Sequence, residues 1–235
     1  MQKAELVLSM LRRSSTSNKE FVFDRLYRKL FNPDLFLLAY NNIYSKEGNM
    51  TPGVDSKTID GFSDELVDTL IEELRYERYH PQPVKRVYIP KKNGKKRPLG
   101  IPSFREKLVQ EVVRLILETI FEPLFEESSH GFRPRKGCHT ALERVKRTFT
   151  GANWVIEGDI TGFFDNIDHG ILLRLLKKKI KDGRFIRLVS LFLKAGYMED
   201  AALYASVAGC PQGGLVSPVL ANIYLHELDG CMERL

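Results

Sequence analysis

A chain of 235 residues with 43% hydrophobic and 28% charged side chains has the balance of a folded globular protein, which excludes wholesale disorder. Its 17 glycines and 11 prolines exclude a fibrous or low-complexity polymer. Lys and Arg number 36 against 30 Asp and Glu, a formal charge of +6, which points to a polyanionic partner where the cations cluster.

The first 80 residues read as a helical N-terminal extension. Leu6-Val7-Leu8 and Leu11 make the apolar side of a short helix. They do not make a signal peptide core, because Glu5 precedes them and Arg12-Arg13 follow without a small-residue cleavage site. Asn18 is placed to cap a helix through about Lys29. Pro33-Asp34 opens another through about Lys46, with Leu35, Leu38 and Ala39 at helical spacing. Residues 45–55, with Gly48, Asn49, Pro52 and Gly53, read as a loop, and Ser63-Asp64-Glu65 opens a helix to about Arg75.

Val84 to Ile89 alternates apolar and basic residues as a half-exposed strand does, residues 90–94 read as a hairpin turn, and a second strand ends at Ile101-Pro102. Ser103 with Glu106 reads as a capping box for a helix to about Phe121. A further helix is expected from His139 to Phe149. Trp154 to Ile160 alternates as a strand, with Trp154, Ile156 and Ile160 on one face and Val155, Glu157 and Asp159 on the other. Asp168 is the cap of a helix through Lys179, and Phe185 to Lys194 is another helix. Tyr197 to Val207 reads as a hairpin turning at Glu199-Asp200. Ser217-Pro218 starts a helix that runs to the end of the chain. The fold class expected is α+β, with residues 1–80, 81–150 and 151–235 as its three regions.

Four segments carry residues suited to chemistry. Lys91-Lys92-Asn93-Gly94-Lys95-Lys96-Arg97 is a basic ribbon tip. It can fold over a triphosphate, or it can be a solubilising tip that protects a strand edge. Gly131-Phe132-Arg133-Pro134-Arg135-Lys136-Gly137 is a basic loop leading into a helix N-terminus, which favours anions. Asp159 ends an apolar strand, where a carboxylate is costly to bury without a cation. A divalent metal suits it, with the Ile160 carbonyl as a second oxygen ligand, and a simple turn-capping role is the alternative. Residues 208–218 form a Gly/Pro-rich turn in which Gln212 offers an amide and the backbone offers donors.

The order and spacing of these segments resemble the reverse transcriptase family, and in particular bacterial group II intron reverse transcriptases, also called maturases. The likeness runs from about Asn42 to Leu235. It is carried by Thr51-Pro52-Gly53-Val54-Asp55, by residues 83–102 with Lys96-Arg97-Pro98-Leu99-Gly100-Ile101-Pro102, by Ser129-His130-Gly131-Phe132-Arg133-Pro134, by residues 158–169 and by Pro211-Gln212-Gly213-Gly214. The resemblance implies a right-hand polymerase fold, of which this chain holds the fingers and part of the palm. It implies DNA synthesis from dNTPs on a group II intron RNA template with a DNA primer, assisted by two Mg²⁺ ions. It makes Asp159 a catalytic, metal-binding carboxylate. Phe164 becomes the gate at the sugar 2′ position, and Arg97 with Lys91 or Lys92 the grip on the triphosphate. Gln212 and Gly213 become the floor under the nucleotide.

The family's Tyr-Ala-Asp-Asp block does not occur in these 235 residues, which contain no Asp-Asp pair. The chain is therefore expected to be a fragment, inactive in polymerisation by itself. RNA binding is expected from Arg12, Arg13, Lys19, Arg25, Arg28 and Lys29, and from Arg133, Arg135 and Lys136. The competing readings are an RNA-binding splicing factor without polymerase activity, an RNA-dependent RNA polymerase, or a reverse transcriptase of another lineage such as a retron. Phe164 argues against RNA synthesis, since a phenyl ring takes the space of a 2′-hydroxyl and offers it no hydrogen bond. Cys138, Cys210 and Cys231 are widely spaced without a CxxC pair, which argues against disulfides and structural zinc and fits a reduced intracellular compartment; the resemblance implies a bacterial cytoplasm. No apolar run approaches the roughly 20 residues of a membrane span, so no membrane partner is expected. A homodimer is compatible with the sequence but not derivable from it.

Overall fold

A computed structural model of the protein describes every residue except Met1, residues 91–93, Lys95, Pro211, Gln212 and Leu235. Eight α-helices and four strands are present among the described residues: α1 (Ala4–Ser17), α2 (Pro33–Tyr44), α3 (Asp64–Arg75), β1 (Val84–Pro90), β2 (Lys96–Ile101), α4 (Phe104–Phe121), α5 (Cys138–Thr148), α6 (His169–Lys179), α7 (Gly183–Lys194), β3 (Tyr197–Glu199), β4 (Ala202–Tyr204) and α8 (Ser217–Met232).

Helix α4 is the axis of the core. Leu108, Val109, Val112, Val113, Ile116, Leu117 and Ile120 are all fully buried, and Glu106, Lys107, Gln110 and Glu111 are buried with them, so neighbours cover most of its circumference. Helices α1, α2 and α8 pack against it. Each of its large aliphatic side chains contributes about 1.5–3 kcal/mol by leaving water. Its buried charges are all partnered. Glu111 accepts from Arg114 (2.7 Å to each oxygen) and from the Asn42 amide (3.0 Å). Burial alone would raise the Glu111 carboxyl, but the Arg114 guanidinium holds it below the usual carboxylate range.

The sheet has the order β2-β1-β3-β4. β1 and β2 are antiparallel, with Lys85 opposite Ile101 and Ile89 opposite Arg97. β3 joins β1 in parallel through Val84 and Tyr197, and β4 closes an antiparallel hairpin on β3. The sheet therefore joins strands from either side of residue 150. Asp200 and Ala201 turn that hairpin at φ of 48° and 63°, a pair of left-handed residues that suits the twist of a two-residue hairpin.

Local signals place several elements where expected. Ser63 Oγ caps α3 at Leu66 N–H (3.2 Å), and Asp168 caps α6 at Ile171 N–H (2.7 Å). Four expectations are corrected. Asn18 ends α1 instead of starting a helix; the chain turns at Lys19 and Glu20, where Phe21 N–H donates to the Asn18 carbonyl (3.0 Å), and forms only a 3-10 turn at Tyr27–Phe31. Tertiary pairing of Phe23 with Ile180 outweighs the local cap signal. Ser103 and Glu106 form no capping box. Glu106 is buried and accepts from the Tyr79 hydroxyl (3.2 Å) and from Ser103 instead. Burial raises its carboxyl despite those bonds and the nearby Arg105 charge. Residues 154–160 form no strand. They lie along the surface, with Trp154 90% and Ile156 98% exposed, because no described strand pairs with them and alternation alone does not hold a strand. Helix α8 stops at Met232.

Candidate active site

Gly162 turns through φ 60° and begins a 3-10 turn, Phe163–Asn166, in which Asp165 N–H and Asn166 N–H both donate to the Gly162 carbonyl (3.0 and 3.1 Å). This turn is sewn to a loop more than forty residues later in the chain. Cys210 N–H donates to the Phe164 carbonyl and Gly209 N–H to the Ile167 carbonyl, both at 2.8 Å. His169 Nε2–H donates to the Gly209 carbonyl (2.7 Å). Gly209 sits at φ +84°, and a Cβ there would stand 2.8 Å from the carbonyl oxygens of both Phe164 and Asp165. Only glycine permits this approach. Burial pushes the Cys210 thiol up to about 12.

The same loop reaches β2. Gly213, at φ +108°, lies so close that a Cβ would stand 2.2 Å from the Gly100 carbonyl oxygen and 3.0 Å from Leu99 Cδ1. Leu99 and Arg97 share a face of β2, since side chains alternate along a strand. The chain thus sets Gly213 against the Leu99 side of β2, the side that also carries Arg97, and sets Gly209 and Cys210 against the Phe164 turn. A cavity of ≈ 320 Å³ lies beside Gly209 and Cys210, lined in part by Arg86, Pro98, Asp165 and Tyr197; Pro98 puts it on the β2 face opposite Arg97 and Leu99. Arg86 lies over the Tyr197 ring, 3.3 Å from its centroid. Lys91 and Gln212 fall outside the described residues.

Asp159 is placed differently. It and Ile160 sit on the exposed segment before Gly162, and a side chain added at Gly158 would meet nothing within 4 Å. The Asp159 carboxylate and the Ile160 carbonyl are hard oxygen donors of the kind Mg²⁺ takes. Among the described residues no group of three or more His, Cys, Asp or Glu could hold a metal ion, so the donors present fit such an ion in kind but fill only part of its shell.

The basic loop divides. Arg133 is turned inward, its side chain 3% exposed. It donates to the Glu122 carboxylate (3.0–3.2 Å), to the Glu126 carbonyl (2.6 Å) and to the Ser129 carbonyl (2.8 Å). Lys136 is held by Glu127 (2.9 Å). Arg135 alone of the three projects into solvent. Phe132, which motif reading passed over as a site residue, is held at φ +52° and 68% exposed, its ring edge-on to Phe164 with centroids 6.3 Å apart. A bulky residue in the left-handed region is strained, and the anchored Arg133 beside it explains how the strain is held. The signal in the sequence was an aromatic between a glycine and an arginine-proline pair. Of the N-terminal cations, Arg12, Arg13, Lys19, Arg25 and Arg28 are exposed and Lys29 is half-buried.

A β-ribbon over a glycine-laced loop and an aromatic turn, backed by helices, is the fingers-and-palm arrangement of a polymerase. The chain belongs to the reverse transcriptase (RNA-dependent DNA polymerase) family, whose sequence profile it matches over residues 89–234. It is 53% identical over 230 residues to the group II intron-encoded protein LtrA of Lactococcus lactis subsp. cremoris, covering 97% of this chain and 38% of that protein. It is 39% identical over 213 residues to protein YkfC of Escherichia coli, covering 87% of this chain and 56% of that one. The chain thus spans well under two thirds of the length of these curated relatives. Among solved structures, a chain of the partial Cas6-RT-Cas1–Cas2 complex shares the fold, with a TM-score of 0.57 at 19% identity over 89% of this chain and 35% of that chain. No helix among the described residues is long and apolar enough to cross a membrane.

Proposed function

We propose that the chain is the fingers and first part of the palm of an RNA-directed DNA polymerase encoded by a group II intron. In this reading residues 1–80 are its N-terminal extension, 81–150 its fingers and 151–235 its partial palm. The observation that supports the proposal is that Gly209 and Cys210 are laced to the Phe164 turn and Gly213 to β2, the elements to which this reading gives the sugar and the triphosphate. The partners are dNTPs, a DNA primer, and group II intron RNA as template and as the RNA held during splicing, in a bacterial cytoplasm.

The residues divide the work by chemistry. The Phe164 ring fills the space of a ribose 2′-hydroxyl and offers it no hydrogen bond. Arg97 presents a planar fork that binds phosphate oxygens in pairs, with Lys91 beside it and Gln212 and Gly213 beneath the base. Asp159 and the Ile160 carbonyl give oxygen ligands to Mg²⁺. Two such ions, when bound, supply positive charge at the primer hydroxyl and at the triphosphate. Positioning and charge account for most of what phosphoryl transfer requires.

The test is primer extension on an RNA template by the gene product that carries this sequence. Asp159→Asn abolishes synthesis and leaves the melting temperature unchanged. Extension within roughly tenfold of wild type, about 1.4 kcal/mol of barrier, would remove Asp159 from catalysis. A wild type that binds intron RNA and extends no primer would favour the splicing-factor reading.

A further inference from the structure

Residues 19–29 and 177–187 are remote in sequence and locked together in space. Phe23 N–H donates to the Lys179 carbonyl (2.7 Å), and Lys181 N–H donates to the Phe23 carbonyl (2.8 Å). The bridge is parallel between Phe23 and Ile180, and both side chains are buried. Asp182, also buried, completes the lock. Its Oδ2 accepts from Tyr27 N–H (2.9 Å), while its Oδ1 caps α7 by accepting from the N–H groups of Arg184 (3.1 Å) and Phe185 (3.4 Å). Arg25 lies between the two pinned residues and is driven to φ +55°. A non-glycine residue keeps that conformation only where its surroundings over-determine it.

The lock sets where the charges point. Because Phe23 and Ile180 face inward, their chain neighbours, Lys181 among them, face outward. Lys19, Arg25 and Arg28 from one segment and Lys177, Lys181 and Arg184 from the other are all exposed. Glu20 and Asp24 are the acids of the first segment. Two more acids nearby are engaged, Glu227 with Lys178 (2.8 Å) and Glu77 with Arg187 (3.2 Å). Balancing of helix dipoles accounts for part of this charge only. Lysines in the last turn of α6 stabilise that end, but Arg184 stands in the first turn of α7, where a cation opposes the dipole. Its guanidinium is held over the Tyr27 ring, 5.1 Å from the centroid, on the N-terminal segment itself.

We propose that these two segments form a single basic face that seats the phosphate backbone of a structured RNA, so that helices α6 and α7 share in RNA binding with the N-terminal extension. The inference rests on the RNA-binding reading of the N-terminal cations and adds a second half to their footprint. A backbone pinned from both sides fixes where these cations are attached, and Arg184 is held over Tyr27, so the face can meet a run of phosphates.

The experiment is a titration of the 235-residue chain with a short RNA hairpin at several salt concentrations. The triple variant Lys177→Ala, Lys181→Ala, Arg184→Ala is expected to flatten the dependence of log affinity on log salt by about one unit for each phosphate it no longer neutralises. Arg25→Ala with Arg28→Ala is expected to do the same. Asp182→Ala is expected to weaken binding although it makes the chain more positive, because it releases Tyr27. Should that variant fail to fold, the triple variant still decides. A slope that falls for the Arg25/Arg28 pair but not for the triple variant overturns the shared face and leaves the N-terminal reading intact. A wild-type chain that binds anionic lipid vesicles and no RNA overturns both.

Discussion

Asp159 and Phe164 lie five residues apart, and the fold treats them in opposite ways. Phe164 sits in a turn whose carbonyls are taken up by Cys210 and Gly209, and its ring is walled by Phe163 and Phe132. Asp159 sits on a surface segment without a strand partner among the described residues. The turn proposed to meet the sugar is held by glycine-tight packing and backbone hydrogen bonds. The segment proposed to meet the metal holds one carboxylate, Asp159, at the surface. In the proposed reading, shape selection and metal binding are therefore separable, and the separation can be tested from each side.

The largest expected effect is on stability, in the loop that supplies Phe132. Arg133→Ala leaves Glu122 nearly buried beside an empty site, and such a loss costs about 3–5 kcal/mol. Arg135→Ala, one of the exposed cations, leaves the melting temperature unchanged and lowers RNA affinity. Thermal melts of both variants check this, and equal melting temperatures would show that the inward turn of Arg133 adds nothing to stability.

Glycines give the next contrast. Gly209→Ala and Gly213→Ala each force a Cβ to within 3 Å of carbonyl oxygens at a positive φ, at a cost of about 1–3 kcal/mol. Gly158→Ala, on the exposed segment, meets nothing and shifts stability by no more than about 0.5 kcal/mol. Denaturant melts rank the three, and a Gly158 variant as damaging as Gly213 would mean that the two regions are equally packed.

The smallest effect is chemical. Cys138 and Cys231 are exposed and Cys210 is buried, with burial holding its thiol protonated up to about 12. Since the thiolate is the reactive form, native alkylation at neutral pH should stop at Cys138 and Cys231. Cys210 should react only once the 209–213 loop has come away from the Phe164 turn. Modification of Cys210 in the native chain at the rate of the others would contradict the docked loop.

What was legible in the sequence follows the range of the forces involved. Ser63, Asp168 and Pro218 mark helix starts correctly because capping is a matter between neighbours in the chain. Asn18 misleads because the bonds that decide its segment come from Lys179 and Lys181. The alternation from Trp154 to Ile160 is real, yet a strand exists only with a ladder partner. Arg133 reads as an RNA contact because a basic loop does not reveal which of its cations will fold back on Glu122. Family motifs assign Phe164, Arg97 and Gly213 to one site; the fold sets Gly213 on the Arg97 strand and Gly209 on the Phe164 turn, and the roles themselves stay proposals. That Gly213 must be glycine, with the Gly100 carbonyl against its Cα, is a long-range packing fact that no local pattern contains.

The central claim is that the Phe164 turn, docked on the 209–213 loop, selects the sugar of the incoming nucleotide. The direct measurement is competition between dNTP and rNTP in primer extension by the gene product that carries this sequence, wild type against Phe164→Val. The smaller side chain should keep DNA synthesis and lower discrimination against ribonucleotides by about tenfold or more, which is about 1.4 kcal/mol or more of barrier. Unchanged selectivity in a variant that still extends primers would contradict the claim.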